Sequence, residues 1–341
     1  MGNKNIVQNQ VVEELKKPET YQESPKKIEV KQTHISYVFL TEKFVYKVKK
    51  AVNFGFLDFS TLEKRRHFCE KELVLNKRLC RDMYLEVVSI NRSSSGQIRI
   101  NGEGETVEFA VKMKKMPDET IMTRLLEENK IDKNIMDKMA KIIADFHEKV
   151  DASRTNGEFE AISIIETNWK ENFEQTQEFI CRSISAKTHQ FIQEKIDQFM
   201  KNNQYLLKKR VIENKIKKCH GDMHSGNIFV ADKIYIFDAI EFNERFSNCD
   251  VASEIAFLAM DLDFKGHKDL SRFFVEKYVK YSGDQELLEL LDFYKCYRAY
   301  VRGKVTSFKL NDPSVSEEEK TATIKEATAY FELALEYAKK M

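Results

Sequence analysis

The chain has 341 residues, a length that corresponds to about two domains or to one domain with two lobes. Hydrophobic residues make up 42% and charged residues 33% of the sequence, which is enough apolar material for a sizeable core and excludes a wholly disordered chain. The formal net charge of +1 gives no electrostatic argument for a nucleic acid or an anionic membrane as a partner.

The N-terminal third predicts a polar arm followed by a small β-rich lobe. Residues 1–27 are polar and contain one short helical stretch, so we interpret them as an arm. From 28 to 116, β-rich runs surround one segment with a helical pattern at 61–80. The predicted strands are 35–40, 44–48, 87–90, 97–100 and 107–113.

Beyond residue 117 the pattern is helical to the end of the chain, apart from short apolar runs between 218 and 242. The sequence therefore predicts an α+β fold with an N-lobe at 28–116, a hinge near 114–117 and a larger helical C-lobe at 117–341. The scattered cysteines form no C-x-x-C pair, and neither a leader-like nor a membrane-length apolar run is present. These features favour a cytoplasmic protein with reduced thiols.

The segment H-G-D-M-H-S-G-N at 220–227 carries the most chemical information. Its Asp222 precedes the carboxamide of Asn227 by five residues, and a second carboxylate, Asp238, follows at the end of an apolar strand. Phosphoryl transfer from a nucleotide needs such groups, because one carboxylate takes the proton of the acceptor hydroxyl while amide and carboxylate oxygens hold Mg²⁺. A hairpin over 229–237 would place Asn227 and Asp238 side by side.

A second set of candidates lies upstream, in the strand V-Y-K at 45–47. Strand alternation puts Val45 and Lys47 on one face, where Val45 can contact a nucleotide base and Lys47 its phosphates. The following helix supplies Glu72 as an acceptor that could orient Lys47, with Glu70 as the alternative. The neighbouring lysines, Lys49 among them, are interpreted as ordinary solvated side chains.

H-G-D-M-H-S-G-N followed by I-F-D resembles the catalytic loop and metal-binding segment of the aminoglycoside phosphotransferase family, which has the protein-kinase-like fold. Other segments resemble, more narrowly, an uncharacterised bacterial branch of it: T-H-I-S at 33–36, V-Y-K at 45–47, F-G-F-L-D-F-S-T-L at 54–62, F-C-E at 68–70 and I-E-F-N at 240–243. The resemblance covers residues 30 to 310. It implies a bilobal fold, ATP or GTP in the cleft, Mg²⁺ on Asn227 and Asp238, and transfer to a hydroxyl of a small molecule.

The sequence departs from the protein-kinase pattern in two places. No G-x-G-x-x-G motif is present, so backbone N–H groups of the hairpin tip and of 33–36, including Ser36, would have to contact the phosphates. Ala239 follows the metal aspartate, and Glu241 could add a further role at the metal.

Other polar residues near the motif have simpler interpretations. His220 and His224 shape the catalytic loop through hydrogen bonds, and His147 is a packing residue at a helix end. Asp250 is an N-cap in the sequence pattern, whereas the resemblance implies that an aspartate here supports the catalytic loop.

Two groups of charged residues give opposite indications about the acceptor. An acidic group would suit a cationic acceptor, and a basic group on one helix would suit an anionic one such as a sugar acid or a sugar phosphate. Either group could also be a solvated helix face. The acidic residues are Glu241, Glu244, Glu254, Asp261 and Asp263, and the basic ones are Arg298, Arg302 and Lys304.

Two hypotheses follow. In the first, the chain is a nucleotide- and Mg²⁺-dependent small-molecule kinase with Asp222 as base. In the second, it is a nucleotide-binding regulatory module with little transfer activity.

The helical pattern at 163–210 has two interpretations. These helices form either a mobile cover around Trp169 or plain core contacts. The oligomeric state stays open.

Overall fold

The computed structural model describes residues 2–152 and 158–341, with the backbone alone for 2–7 and 158–159. Its strands are β1 (Glu29–Gln32), β2 (Ser36–Leu40), β3 (Phe44–Lys49), β4 (Tyr84–Arg92), β5 (Ile98–Ile100), β6 (Glu105–Lys114), β7 (Ile216–Lys218), β8 (Ile228–Val230), β9 (Ile234–Ile236) and β10 (Asn248–Asp250). Its helices are α1 (Gly2–Glu14), α2 (Leu62–Cys80), α3 (Met122–Glu127), α4 (Lys133–Lys149), α5 (Glu158–Thr176), α6 (Ala186–Asn202), α7 (Gln204–Ile212), α8 (Glu244–Ser247), α9 (Val251–Phe264), α10 (Lys268–Ser282), α11 (Leu287–Phe308) and α12 (Glu317–Ala338).

These elements form two compact units. Unit 1 comprises Met1–Met122 and Asn227–Glu244, and unit 2 comprises Thr123–Gly226 and Arg245–Met341. The segment 227–244, which the sequence analysis assigns to the C-lobe, therefore lies in the sheet-containing unit. The predicted α+β class is confirmed, because the large sheet belongs to unit 1 and unit 2 is mainly helical.

The sheet of unit 1 has six antiparallel strands in the order β1-β2-β3-β6-β4-β5, where the sequence predicts five. The additional strand, β1, has the sequence E-V-K-Q and is mostly exposed at the edge of the sheet. Such a short polar edge strand carries little hydrophobic alternation, which is why the sequence pattern did not indicate it. Strand β3 pairs with β2 and β6, so that Lys47 lies between Val38 and Val111.

Helix α1 covers one face of this sheet, although its residues were predicted as part of an arm. Val11 and Leu15 are fully buried in a cluster with Tyr46 and Val48 of β3. The buried side chain of Gln8 donates hydrogen bonds to the backbone oxygen of Lys49 at 2.9 Å and to the carboxylate of Glu108 at 2.8 Å. The arm prediction is wrong for this helix, since it forms part of the core.

Helix α2 covers the other face of the sheet. The hydroxyl of Thr61 caps its first turn by accepting a hydrogen bond from the backbone of Lys64 at 3.2 Å. Its buried Cys69 and Cys80 pack with Val111 and Met113 of β6. Alternation along β3 turns residues 45, 47 and 49 toward this helix, which also carries the buried Glu72.

Strands β8 and β9 form the hairpin that the catalytic motif predicts. Ile228 pairs with Ile236, and the backbone N–H of Phe237 donates to the carbonyl of Asn227 at 3.0 Å. Asn227 and Asp238 therefore lie beside each other at the open end of the hairpin, as predicted.

Unit 2 is organised around α9, in which every residue from 251 to 262 is buried. The carboxylate of Asp250 caps this helix by accepting the backbone N–H of Ala252 at 2.8 Å. Helices α10 and α11 pack against α9, and α12 packs against α11. Within the described ranges, no helix is long and apolar enough to cross a membrane.

Candidate active site

In unit 1, Lys47 binds two carboxylates. Its ammonium group lies 2.9 Å from Oε1 of Glu72 and 2.5 Å from Oδ1 of Asp238. The structure distinguishes the two glutamates that the sequence left open, because Glu70 is exposed and pairs with Arg66 on the surface of α2 at 2.9 Å. The predicted approach of Lys47 to Asp238 is therefore confirmed, and Glu72 is the glutamate that contacts the lysine.

Lys49 extends this group into a network that the sequence analysis missed. Its ammonium group lies 2.7 Å from Oε2 of Glu72 and forms a second ion pair with Glu241. Lys49 is 1% exposed and Glu241 is 3% exposed. Its position two residues after Lys47 was the available signal, since strand alternation places both lysines on one face. Glu241, considered for a role at the metal, is here the buried partner of Lys49.

Glu72 and Lys49 keep their charges because opposite charges outweigh burial, whereas burial raises the pKa of Glu241. Burial alone would raise the pKa of Glu72, but Lys47 and Lys49 lower it to about 2. Burial would likewise lower the pKa of Lys49, yet the carboxylates of Glu241 and Glu72 raise it. Glu72 therefore holds two ammonium groups as an ionised carboxylate at neutral pH.

Asp238 is fixed at the end of β9 by an unusual backbone conformation. Its φ is +66°, a region that few non-glycine residues adopt and that occurs preferentially at functional sites. Its backbone N–H donates to the hydroxyl of Tyr84 at 3.3 Å, and the N–H of Ala239 donates to Oδ1 of Asn76 at 2.9 Å. These bonds hold the turn, while 43% of the Asp238 side chain stays exposed.

The donor chemistry beside the hairpin fits Mg²⁺. Asn227 offers an amide oxygen and Asp238 an accessible carboxylate, and Mg²⁺ prefers such hard oxygen ligands. Asn227 precedes β8 and Asp238 follows β9, so the backbone pairing of these two strands brings the two residues close together in space.

Two further residues, Val45 and Ser36, are predicted to contact the nucleotide, and their surroundings differ from each other. Val45 lies on the same face of β3 as Lys47 and is half-buried, opposite Met113 of β6. Ser36 is buried, and its backbone N–H already donates to Oγ1 of Thr33 at 2.9 Å. The nucleotide contacts of both stay predictions, although the N–H group of Ser36 has an internal acceptor.

In unit 2, Asp222 lies in the loop that follows β7, with two histidines close by. Nε2 of His224 is 3.6 Å from the Asp222 carboxylate, and Nδ1 of His220 accepts the backbone N–H of Asp222 at 3.3 Å. The two histidines thus shape the loop, as the sequence analysis proposed. Burial would raise the pKa of Asp222, but His224, His220 and Arg302 hold it below its usual value, so the side chain is ionised at neutral pH.

The backbone of this loop is held by Glu254 of α9. Its carboxylate accepts the N–H of His220 at 3.0 Å and that of Gly221 at 2.6 Å. It also lies 2.9 Å from Nε2 of His147, whose Nδ1 is 2.7 Å from the hydroxyl of Tyr278. Glu254 therefore fixes the two residues that precede Asp222 by accepting hydrogen bonds from their backbone.

This arrangement corrects the role that the resemblance implies for Asp250. Asp250 caps α9, as its sequence position indicates, and both of its oxygens bind the buried Arg210, at 2.9 and 2.6 Å. The carboxylate that supports the loop around Asp222 is Glu254, one helical turn further along α9. The sequence pattern indicates Glu254 only as one of several acidic residues that could lie near the acceptor.

No protein-family model matches the chain. Among curated proteins it is similar to uncharacterised proteins of Mycobacterium tuberculosis and Mycobacterium bovis, each 31% identical over 282 residues. The aligned part covers 82% of this chain and 54% of each relative. The chain thus spans about half the length of the curated relatives it matches.

Several solved structures are also similar to the chain. A choline/ethanolamine kinase family protein from Mesorhizobium loti is 11% identical, with 92% of both chains covered and a TM-score of 0.49. A choline kinase from Streptococcus pneumoniae is 16% identical, with 89% of this chain and 94% of that chain covered and a TM-score of 0.49. An aminoglycoside phosphotransferase from Alicyclobacillus acidocaldarius is 10% identical, with coverage of 94% and 93% and a TM-score of 0.49. The structural neighbours are thus aminoglycoside phosphotransferase and choline/ethanolamine kinase family proteins.

Proposed function

We propose that the chain transfers the γ-phosphate of ATP or GTP to a hydroxyl group of a small molecule. The observation that carries this proposal is the contact of Lys47 with both Glu72 and Asp238, at 2.9 and 2.5 Å. A lysine held by a buried glutamate, close to an aspartate in a strained turn, is the arrangement that phosphoryl transfer uses to neutralise phosphate charge.

In this proposal Lys47 binds the phosphates and Glu72 fixes the position of its ammonium group. Asn227 and Asp238 are the residues that would hold Mg²⁺. When bound, the metal ion neutralises negative charge on the phosphates. Asp238 contacts Lys47 directly, so one proposed metal ligand is also a partner of the phosphate-binding lysine.

Asp222 is the proposed base. The acceptor oxygen forms a bond to the γ-phosphorus, the bond from that phosphorus to the β–γ bridging oxygen breaks, and the nucleoside diphosphate leaves. The hydroxyl proton passes to the Asp222 carboxylate, which the neighbouring histidines keep ionised. Because Glu254 holds the backbone of the preceding residues, Asp222 has a fixed place in its loop.

We place this activity in the cytoplasm. The six cysteines are free thiols, which suits a reducing compartment.

The test is release of ADP or GDP, measured with Mg²⁺ and a panel of hydroxyl compounds. Asp222→Asn should lower turnover by about 10²–10⁴-fold and leave nucleotide binding, followed by calorimetry, unchanged. The control is Asp232→Asn, which removes an exposed carboxylate from the turn between β8 and β9.

Wild-type turnover in Asp222→Asn would contradict the proposed mechanism. Nucleotide binding without release of diphosphate, over the whole panel, would instead support the regulatory module.

A further inference from the structure

The structure bears on the charge of the acceptor because it shows what each charged candidate binds. All five acidic residues that could attract a cation have partners. Glu241 pairs with Lys49, Glu244 lies 3.0 Å from Lys71, Glu254 binds the catalytic loop, Asp261 accepts the N–H of Ser225 at 2.8 Å, and Asp263 pairs with Lys295 at 2.9 Å. Each of these carboxylates thus already has a partner within the chain.

Of the three basic candidates for the acceptor site, all on α11, two also have structural roles. Arg298 donates to the backbone oxygen of Gly221 at 3.1 Å and to that of Ser253 at 3.2 Å. Lys304 is buried and donates to the side chains of Asn172 and Gln175, at 2.6 and 2.7 Å. Neither residue needs a ligand to explain its position.

Arg302 is different from both. It is half-buried, and its guanidinium group lies 5.5 Å from the ring of Tyr330. No ion pair joins it to a carboxylate within the part of the chain that the structure describes, whereas the buried Arg65 pairs with one carboxylate and the buried Arg210 with two. A guanidinium group has five N–H donors, so Arg302 has donors available for a ligand beyond its hydrogen bond with the side chain of Tyr330.

The position of Arg302 relates it to the catalytic loop. It lies one helical turn beyond Arg298, on the same face of α11, and Arg298 binds the residue that precedes Asp222. Burial would lower the pKa of Arg302, but Tyr330, Asp222 and Asp261 raise it, so the group stays charged. Asp222 is therefore within electrostatic range of Arg302.

We infer that Arg302 binds an anionic group of the acceptor, so that the substrate is a hydroxylated compound that carries a carboxylate or a phosphate. This inference rests on the proposed function and specifies its substrate class. A planar guanidinium can bind either anion through two parallel hydrogen bonds. The positive charge of Arg302 would repel a cationic acceptor at the same place.

The experiment compares compounds that share a carbon skeleton. Glucose, gluconate, glucose 6-phosphate and glucosamine form one series, and glycerol, glycerate, glycerol 3-phosphate and ethanolamine form another. Calorimetry with the full-length chain measures binding, and diphosphate release measures turnover. We expect the anionic members of a series to bind more tightly than the neutral and cationic ones, and their charged group, carboxylate or phosphate, identifies the anion.

Arg302→Gln should weaken binding of the anionic compound by roughly tenfold to a hundredfold and leave nucleotide binding unchanged. Arg302→Lys keeps the charge but loses the paired hydrogen bonds, so its affinity for the anionic compound should lie between those of the wild type and Arg302→Gln. It replaces Arg302→Gln in the test if the glutamine variant does not fold. The matched control is Arg272→Gln, an exposed arginine of α10 in the same unit.

Three outcomes would overturn the inference: preference for the cationic compounds, equal binding by Arg302→Gln and Arg272→Gln, or no anion binding at all. Anion binding that depends on Arg302 without any release of diphosphate would instead overturn the proposed function and leave the anion site intact.

Discussion

In unit 1, Lys47 is held by ion pairs with charged side chains. In unit 2, the loop around Asp222 is held by hydrogen bonds from its backbone to the carboxylate of Glu254. Glu72 contacts two ammonium groups, and Glu254 contacts two backbone N–H groups. Both carboxylates are fully buried.

The difference shows two ways of placing a functional group. In unit 1 the position of the lysine depends on a balance of buried charges, so the loss of one partner leaves the remaining buried charges less well compensated. In unit 2 the loop conformation depends on neutral donors, so the loss of the carboxylate leaves N–H groups unsatisfied instead. Substitutions in the two units should therefore differ in size and in pH dependence.

The largest expected effect is that of Glu72→Gln. The substitution leaves Lys49 buried with Glu241 as its remaining carboxylate partner and removes one of the two carboxylates from Lys47. We expect the free energy of unfolding in urea to fall by about 3–5 kcal/mol, because breaking a buried ion pair from one side costs that much. Turnover should fall as well, since Lys47 loses its orienting partner.

Glu70→Gln is the control for this variant. Glu70 lies on the same helix but is exposed and pairs with Arg66 four residues earlier, so its loss should cost less than about 0.5 kcal/mol. Equal destabilisation by the two substitutions would contradict the proposed importance of the network in unit 1.

Glu254→Gln should reveal the second mode of support through its pH dependence. Burial would raise the pKa of Glu254, but His147, His220 and the backbone of the loop lower it to about 2 from an ordinary value of 4.5. A carboxyl group whose pKa is lowered in the folded state stabilises the protein at pH values above its ordinary pKa. This stabilisation is lost as the pH falls toward 2. It amounts to about 3 kcal/mol at neutral pH.

The measurement is the free energy of unfolding between pH 7 and pH 2. The wild type should lose more stability than Glu254→Gln over the acid part of this range. Glu332→Gln removes an exposed carboxylate of α12 in the same unit and serves as the control. If the wild type and Glu254→Gln show the same acid slope, Glu254 does not support the loop as an ionised group.

The features that the sequence predicted correctly are those fixed by local spacing. The hairpin beside Asn227 and Asp238 follows from strand alternation and a short turn, and the N-cap at Asp250 follows from its place before an apolar helix. The V-Y-K pattern also singled out Lys47, whose contact with Asp238 is confirmed and whose contact with phosphates stays a prediction. In each case, neighbouring residues carry the information.

The features that the sequence did not predict depend on contacts between distant segments. Gln8 of α1 reaches the backbone of Lys49 and the side chain of Glu108, and no local pattern indicates those bonds. The local sequence indicates a surface lysine at Lys49, because its partner Glu241 lies 192 residues further along the chain. The choice between Asp250 and Glu254 as support for the loop likewise depends on how α9 packs against it.

The smallest expected effect concerns Trp169, which decides between a mobile cover and a core helix in unit 2. Trp169 is 3% exposed and stacks on Phe173 at 5.2 Å, with the rings of Tyr297 and Tyr300 of α11 at 5.3 and 5.7 Å. A side chain enclosed on this scale belongs to the core, so we expect its emission maximum to stay unchanged when nucleotide and then a turned-over acceptor are added. Because the chain has one tryptophan, all tryptophan emission reports on this position, and Trp169→Phe gives the background. A shift that appears only with the acceptor would show that α5 moves during binding and would favour the cover over the core helix.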